Sequence, residues 1–295
     1  MALTPFHAGE LALQQRAGSL GRLAEVGPRV VRAALPEQHQ LFFAQLPFVV
    51  VGSVDAEGQP WASLLTGSPG FVQALSATRL RLASRPRADE ALAEHLREGA
   101  PLGLLGIEPH TRRRNRVNGR VRSMDSAGFE MAVSQSFGNC PKYIQPREAR
   151  FDERALAPTQ AVTRGKQLDA WARCLIQNAD TFFIASSHPA AHAPSSPAEG
   201  VDVSHRGGPP GFVRVDANGV LTVPDFSGNG FFNTLGNLSL NPRAGLLFMD
   251  FEQGELLQLT VNAELVWDGP ELAAFTGAQR LLRLRVTAMQ RWRQR

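Results

Sequence analysis

The chain has little with which to cross-link itself or enter a membrane. It holds two cysteines, Cys140 and Cys174, far apart and without CxxC spacing. That spacing excludes a disulfide framework and gives no zinc motif. No run of about 18 uncharged apolar residues occurs. The opening MALTPFHAGELALQQRAG lacks a basic region followed by an apolar stretch. Neither a spanning helix nor a secretory signal is therefore expected, and the expected compartment is the cytoplasm. Nucleophile-elbow (GxSxG) and phosphate-loop (GxxxxGK[ST]) patterns are missing too. Gly228-Asn229-Gly230 lacks the third glycine of a dinucleotide fingerprint and follows no parallel βαβ pattern. His188 and His192 have the spacing of a helical metal pair. Pro189 between them denies helix geometry, so SSHPAAHAPSSP reads as a connector and no metal site is expected.

Excess charge is small. Thirty-one Lys and Arg against 27 Asp and Glu leave +4, although the pI is near 9.8, so distribution matters more than the sum. Arginine is dense from Arg112 to Arg122 and from Arg280 to Arg295. In RNRVNGRVR the Arg and Asn at even positions alternate with Val117, Gly119 and Val121. That is the period of a half-buried strand with a solvated polar face. Nucleic-acid binding would want aromatic platforms beside the charges, and only Trp292 stands near either cluster. Tight, salt-sensitive retention of DNA or RNA would reveal it; it is not the expected partner.

What is present is β texture. Twenty-seven Gly and 20 Pro are spread along the chain, which implies many tight turns between short elements. Residues 8–45 carry apolar positions at helical spacing, broken by Pro28 and Pro36, and predict two or three helices. From Pro47 the pattern changes to PFVVVGSV, a turn, QPWASLLTGSPGFV, RLRLAS, a short helix at 88–98, PLGLLGIE and RNRVNGRVR. The second half repeats that order. TFFIASSHP, GVDVSHRGGPPGFV, VLTVPDF, a helix in FFNTLGNLSLNP, PRAGLLFMDF and LLQLTVNAELVW follow in turn, and PGFV itself recurs at 69–72 and 210–213. Gly103-Leu104-Leu105 matches Gly245-Leu246-Leu247, and Asn118 matches Asn262. A shared order of elements points to two copies of one six-stranded unit of small-barrel size.

Duplicated units with one working site should differ where the chemistry is. Ser204-His205-Arg206-Gly207-Gly208 stands opposite Ser63-Leu64-Leu65-Thr66-Gly67, so only the second copy has the Arg. In an extended segment Ser204 and Arg206 share a face. They read either as a solvated turn or as partners for a phosphate or carboxylate. After VLTVP the second copy has DFSGNGFFNTLGNLSLNP, in which Asp225, Ser227 and Asn229 are all competent helix N-caps. A helix start there would offer free N–H groups to an anion. Asn229, Asn233 and Asn237 recur at four-residue steps, as an exposed polar stripe or a row bonded to a ligand. Cys140, in FGNCP, reads mainly as a small buried residue.

SHRGGPPGFVRV with DFSGNGFFNTLGNLSLNPRAGLLFMDF resembles the flavin-nucleotide-binding members of the pyridoxamine 5′-phosphate oxidase-like split-barrel family. SQSFGNCPKYIQPR and FHAGELALQQRAG are similar to stretches of the same subgroup. The resemblance implies a mainly β fold of tandem split β-barrels with flanking helices, usually dimeric, holding FMN. It places phosphate contacts on Ser204 and Arg206 and on the loop and helix start at Ser227, Gly228 and Asn229, with Gly207 and Asp225 also in the cofactor site. Asn233, Thr234 and Asn237 would lie along the flavin. Relatives often carry Arg or Lys within the segment matched by SGNGFF, and here none occurs between Arg214 and Arg243.

The expected organisation is N-terminal helices over 1–46, a first barrel with a degenerate site over 47–139, a connecting segment over 140–179 with helix from Ala161 to Gln177, and an FMN-binding barrel over 180–295. The expected function is an FMN-dependent oxidoreductase other than the vitamin oxidase, whose substrate motif has no match here, with no catalytic residue, substrate or electron donor identifiable. The alternative is a module that holds a flavin or other phosphorylated ligand without turning it over. A homodimer is the expected assembly.

Overall fold

The computed structural model describes residues 4–88, 90–151 and 162–292. Three helices lead: α1 (Ala8–Arg16), α2 (Leu20–Val30) and α3 (Glu37–Ala44). Pro36 does separate two of them, as the N-cap of α3. Pro28 does not break its helix: it stands inside α2, two residues before its end, at the cost of the one ladder bond its missing N–H would have made.

The first sheet contains β1 (Phe48–Val54), β2 (Pro60–Thr66), β3 (Val72–Ser76), β4 (Arg79–Leu82), β5 (Pro101–Glu108), β6 (Arg113–Asp125) and β7 (Gly128–Gly138), with the short helix α4 (Ala91–His95) between β4 and β5. Next come β8 (Val162–Gly165) and α5 (Ala170–Asn178). The helix expected from Ala161 to Gln177 is thus shorter. Ala161 lies outside the described residues, Val162–Gly165 is a strand paired with the last strand, and Asp169 caps α5 by accepting from Ala172 N at 2.7 Å. The second sheet contains β9 (Thr181–Ser187), β10 (Val201–Gly207), β11 (Arg214–Val215), β12 (Val220–Phe226), β13 (Arg243–Met249), β14 (Leu256–Val266) and β15 (Ala278–Trp292), with α6 (Asn233–Leu240) between β12 and β13.

Strand order is β2-β1-β5-β6-β7-β4-β3 in one sheet and β10-β9-β13-β14-β15-β12-β11 in the other. Adding eight to each number of the first gives the second, so the duplication read from sequence is a duplication of topology. Each copy has seven strands rather than six. The extra ones, β7 and β15, each close a barrel by pairing with the preceding long strand and with β4 or β12.

Register gives residue-level correspondence. Leu104 faces Val51 and Val117, as Leu246 faces Ile184 and Leu259. Gly103-Leu104-Leu105 and Gly245-Leu246-Leu247 are therefore true counterparts. Asn118 corresponds to Thr260, not to Asn262, because the apparent match ignored the pairing of β6 and β14 with their neighbours.

Buried β-branched and aromatic runs explain the central strands: all seven residues of β1 and all seven of β9 are buried. Each barrel has its own core. A third cluster, including Val50, Ala62, Leu105, Phe183, Val203 and Leu247, lies between them. The barrels approach closely at two counterpart positions. A Cβ on Gly103 would stand 2.5 Å from Val201 O, and one on Gly245 would stand 2.5 Å from Pro60 O. Val201 and Pro60 are themselves counterparts, each beginning the strand that pairs with β9 or β1. The two halves therefore meet as an isologous pair, around a pseudo-two-fold axis. Among the described residues no helix is long and apolar enough to cross a membrane.

Candidate functional site

A cavity of about 280 Å³ opens where the second barrel meets the first. That is near the lower end of the roughly 300–1,000 Å³ usual for small-molecule sites. Strand β10 contributes Ser204, Arg206 and Gly207, and the end of β12 with its following loop contributes Asp225, Ser227, Gly228 and Asn229. The first turn of α6 contributes Asn233 and Thr234. Nine of the ten residues singled out in the sequence thus line one cavity, although they come from three separate segments. The tenth, Asn237, does not line it. It is fully buried one turn further along α6, where its Nδ2 donates to Ser186 Oγ at 3.2 Å and Asp202 Oδ2 at 3.0 Å.

Several local expectations change. Asp225 is no helix cap: it lies in β12, held by Arg206 through a hydrogen-bonded ion pair and by Arg280, whose Nε is 2.9 Å from Asp225 Oδ2. Helix α6 begins at Asn233, and its N-cap is Phe232, in the left-handed region at φ 64° with no side-chain cap. Asn229 instead turns the loop, accepting from Phe231 N at 3.0 Å. Only Asn233 and Asn237 of the three asparagines are on the helix. With no capping side chain, the first N–H groups of α6 are left outside the helical ladder, beside the cavity.

Arg206 also lies where it can act on a ligand. Its side chain is one-fifth exposed and shares Asp225 with Arg280. Gly207 has a packing reason for being glycine, since a Cβ there would stand 2.1 Å from Tyr143 O. Tyr143 stacks on Phe226 at 5.2 Å, and its hydroxyl donates to Ser227 O at 3.1 Å, tying the connecting segment to the cavity loop.

Three arginines that line the cavity were not singled out. Arg114 and Arg116 come from β6 of the first barrel, and Arg280 comes from β15. The β6 face expected to be solvated is in part buried against β10. Arg116 is 2% exposed and donates to Asp202 Oδ1 at 2.9 Å and to Ser204 Oγ, and Asn118 donates to the same Oδ1 at 2.7 Å. Ser204 also accepts from Thr234 Oγ1 at 2.8 Å. Both arginine clusters were visible in the sequence, but only the fold shows that part of each turns inward. Together they supply the cations missing between Arg214 and Arg243.

Four guanidinium groups therefore line the cavity against one lining carboxylate, Asp225. Even with Asp202 assigned to Arg116, two positive charges remain without a carboxylate. Burial lowers the pKa of Arg114, Arg116 and Arg280 below the usual guanidinium value. His205 is pushed well below the usual imidazole value, first by burial and then by Arg114 and Arg206. It is neutral: Nδ1 accepts from Arg114 Nη1 at 2.9 Å and Nε2 is 3.4 Å from Thr181 Oγ1. Cys140 lies at the cavity edge, with Arg114 Nη2 3.6 Å from its Sγ. Arg280 also rests over Phe232 and Trp267, at 4.8 and 4.6 Å from the ring centroids. Within the connector His188 Nδ1 accepts from Ala190 N at 3.1 Å, and His192 Nε2 is 2.8 Å from Asp55 O in the turn after β1.

Residues 35–164 match the family model described as pyridoxamine 5′-phosphate oxidase. No curated protein matches the chain. Among solved structures, HupZ of Group A Streptococcus is 12% identical with a TM-score of 0.33, over 42% of this chain and 92% of that one. An FMN-binding protein from Syntrophomonas wolfei is 10% identical with a TM-score of 0.32, over 41% and 82%. HutZ, the heme storage protein from Vibrio cholerae, is 12% identical with a TM-score of 0.27, over 41% and 89%.

Proposed function

The chain belongs to the pyridoxamine 5′-phosphate oxidase-like split-barrel family, and from that premise we propose that its cavity holds a flavin nucleotide, FMN, in a cytoplasmic oxidoreductase. The observation that carries this reading is the charge balance of the cavity, four arginines against one lining carboxylate. A phosphate monoester is a dianion, and forked guanidinium groups with unladdered helix N–H groups are its natural partners. The donor set fits: Arg280 Nη1, Arg206 Nε and Asn139 Nδ2 are buried on lining residues without a hydrogen-bond partner. Arg206, Arg280 and the start of α6 would hold the phosphate. Asn233 and Thr234 would meet the ribityl chain, and Arg114 and Arg116 would close the first-barrel side. Bound flavin would supply the electron transfer; the protein would bind it, orient it and exclude water.

One observation favours a second reading, a module that holds the ligand without turning it over. The lining carboxylate is locked between two arginines and His205 is buried and neutral, so neither is a free acid or base. Oxidation of NADH or NADPH by the flavin-loaded protein under air separates the two readings.

The test of the site is a visible spectrum of purified protein after incubation with FMN and desalting, repeated with riboflavin for Arg206→Ala. Retained flavin bands are expected for the parent. The variant should lose FMN affinity by about ten- to a hundredfold, the weight of a charge-assisted hydrogen bond of roughly 1.5–3 kcal/mol, while riboflavin affinity stays unchanged. A parent that refuses FMN sinks the assignment. Equal losses for both ligands would make Arg206 a support of the fold instead.

A further inference from the structure

Three side chains of the N-terminal helices converge on one five-residue stretch of cavity wall. Gln14 Nε2 donates to Phe231 O at 3.1 Å and Arg22 Nη2 donates to Asn229 O at 3.1 Å. Asn233 Nδ2 donates to Glu10 Oε1 at 2.5 Å. The partners are 217, 207 and 223 residues apart in sequence, so nothing local requires them to meet.

The helices are seated closely enough to transmit position. A Cβ on Gly9 would stand 2.4 Å from Gly236 O, and one on Gly236 would stand 2.7 Å from Glu10 N. Helices α1 and α6 therefore cross backbone against backbone. The other oxygen of Glu10 accepts from His7 N at 2.8 Å, closing the capping box of α1, so one carboxylate joins the start of α1 to the start of α6. Phe231 is packed with Phe6, Leu23 and Phe137. Phe232 holds a left-handed backbone that a phenylalanine keeps only where its surroundings fix it. Every residue from 229 to 233 except the glycine and Phe232 is thus fixed by a named contact to the N-terminal helices, and those two lie between the fixed points.

We propose that α1 and α2 form a clamp that sets the geometry of the 229–233 wall, with Glu10, Gln14 and Arg22 as positioning residues that do not touch the ligand. The consequence for binding rests on the flavin reading above; the clamp itself rests on these contacts. If the wall binds a phosphate, occupancy of the cavity and packing of the N-terminal helices are coupled, and the coupling is reciprocal.

The test uses the full chain. Amide hydrogen exchange is followed at Phe231, Phe232 and Asn233 without ligand in the parent, Arg22→Ala, Arg22→Lys and Gln14→Ala. Arg22 is exposed, so its variants should keep the parent's melting temperature. Exchange about two- to tenfold faster in Arg22→Ala and Gln14→Ala, the weight of a hydrogen bond, with recovery in Arg22→Lys, is expected. Unchanged exchange in both alanine variants overturns the clamp, whether or not the protein binds FMN. With FMN as probe, Arg22→Ala should weaken binding by a similar factor, and FMN should slow exchange in residues 8–30 of the parent. Faster exchange with unaltered FMN affinity overturns the coupling. Failure of the parent to bind FMN at all sinks the flavin reading and the coupling built on it, but leaves the ligand-free exchange result to decide the clamp.

Discussion

Where the second barrel buries Asp202, the first has the half-buried Trp61 as the counterpart in register. Asn237 donates to Ser186 Oγ at 3.2 Å in one unit; in the other His95 Nδ1 stands 3.3 Å from Ser53 Oγ, and Ser53 and Ser186 occupy equivalent places in β1 and β9. Arg116 reaches across to Ser204, and its counterpart Gln258 reaches back to Ser63 Oγ at 2.9 Å. Arg206 corresponds to Leu65 and Arg114 to Leu256. The same scaffold thus presents a charged cavity on one side and neutral or apolar groups on the other. A neutral amide can satisfy a serine and a backbone carbonyl without a counter-ion, so the scaffold itself does not need these charges. They are costly to bury, and their confinement to one side of the interface argues that they serve a ligand.

The largest way to break this comparison is to give the first unit the second unit's residue at the interface. Arg116→Gln leaves Asp202 with two amide donors but no cation. A buried pair broken on one side loses about 3–5 kcal/mol, and urea unfolding should show a loss of that order. A loss under about 1 kcal/mol would mean that Asp202 is adequately served by Asn118 and Asn237.

Next in size is a pH effect confined to the helices that cover α6. Burial lowers the pKa of His7 from 6.5 to about 4. The unfolded chain binds the extra proton between those values, so the stability linked to His7 is complete above about pH 6.5 and falls as the pH drops towards 4. The full effect is about 3 kcal/mol at 1.36 kcal/mol per unit. Glu10 runs the other way. Burial raises its pKa well above the usual carboxylate value, so its contribution is lost as pH rises through the raised value. His7→Asn should flatten the acid limb of a stability-against-pH curve; an unchanged limb would assign it to other groups.

The smallest effect is expected from Gln258→Ala, which removes bonds to Ala62 O and Ser63 Oγ, at 2.7 and 2.9 Å. About 1–2 kcal/mol of stability should be lost, with no change in ligand affinity. A large loss of ligand affinity would show that the uncharged side of the interface contributes to the site at a distance.

Much of this fold was legible because the repeated PGFV and the buried runs FVVVGSV and TFFIASS carry local information. Strand β15 is less so: its arginines read as a charge cluster, which masks an alternation apolar at Leu282 and Leu284 and polar at Arg283 and Arg285. The cavity was half legible. Ser204 and Arg206 could be placed on one face by period alone. That Arg116 would be buried could not: alternation tells which residues share a face, not what that face meets, and its partner Asp202 is 86 residues away. The cap assignment failed because three good capping residues in a row say that a helix is near, whereas the tight loop and the contacts of α1 decide where it starts. The family model, for its part, falls on residues 35–164, which hold Arg114 and Arg116 but not Arg206 or Arg280 of the four cavity arginines, so the pattern that marks the scaffold covers only part of the proposed binding residues.

The reciprocal glycine contacts, Gly103 against Val201 and Gly245 against Pro60, have a consequence for inheritance. In a dimer of identical subunits every substitution appears twice, so a residue that improves one pocket must be tolerated in the other. Joining the two halves in one polypeptide removes that obligation. Their association no longer depends on protein concentration, and each half is free to change alone: one side of their interface can collect arginines from both halves while the other side keeps neutral groups.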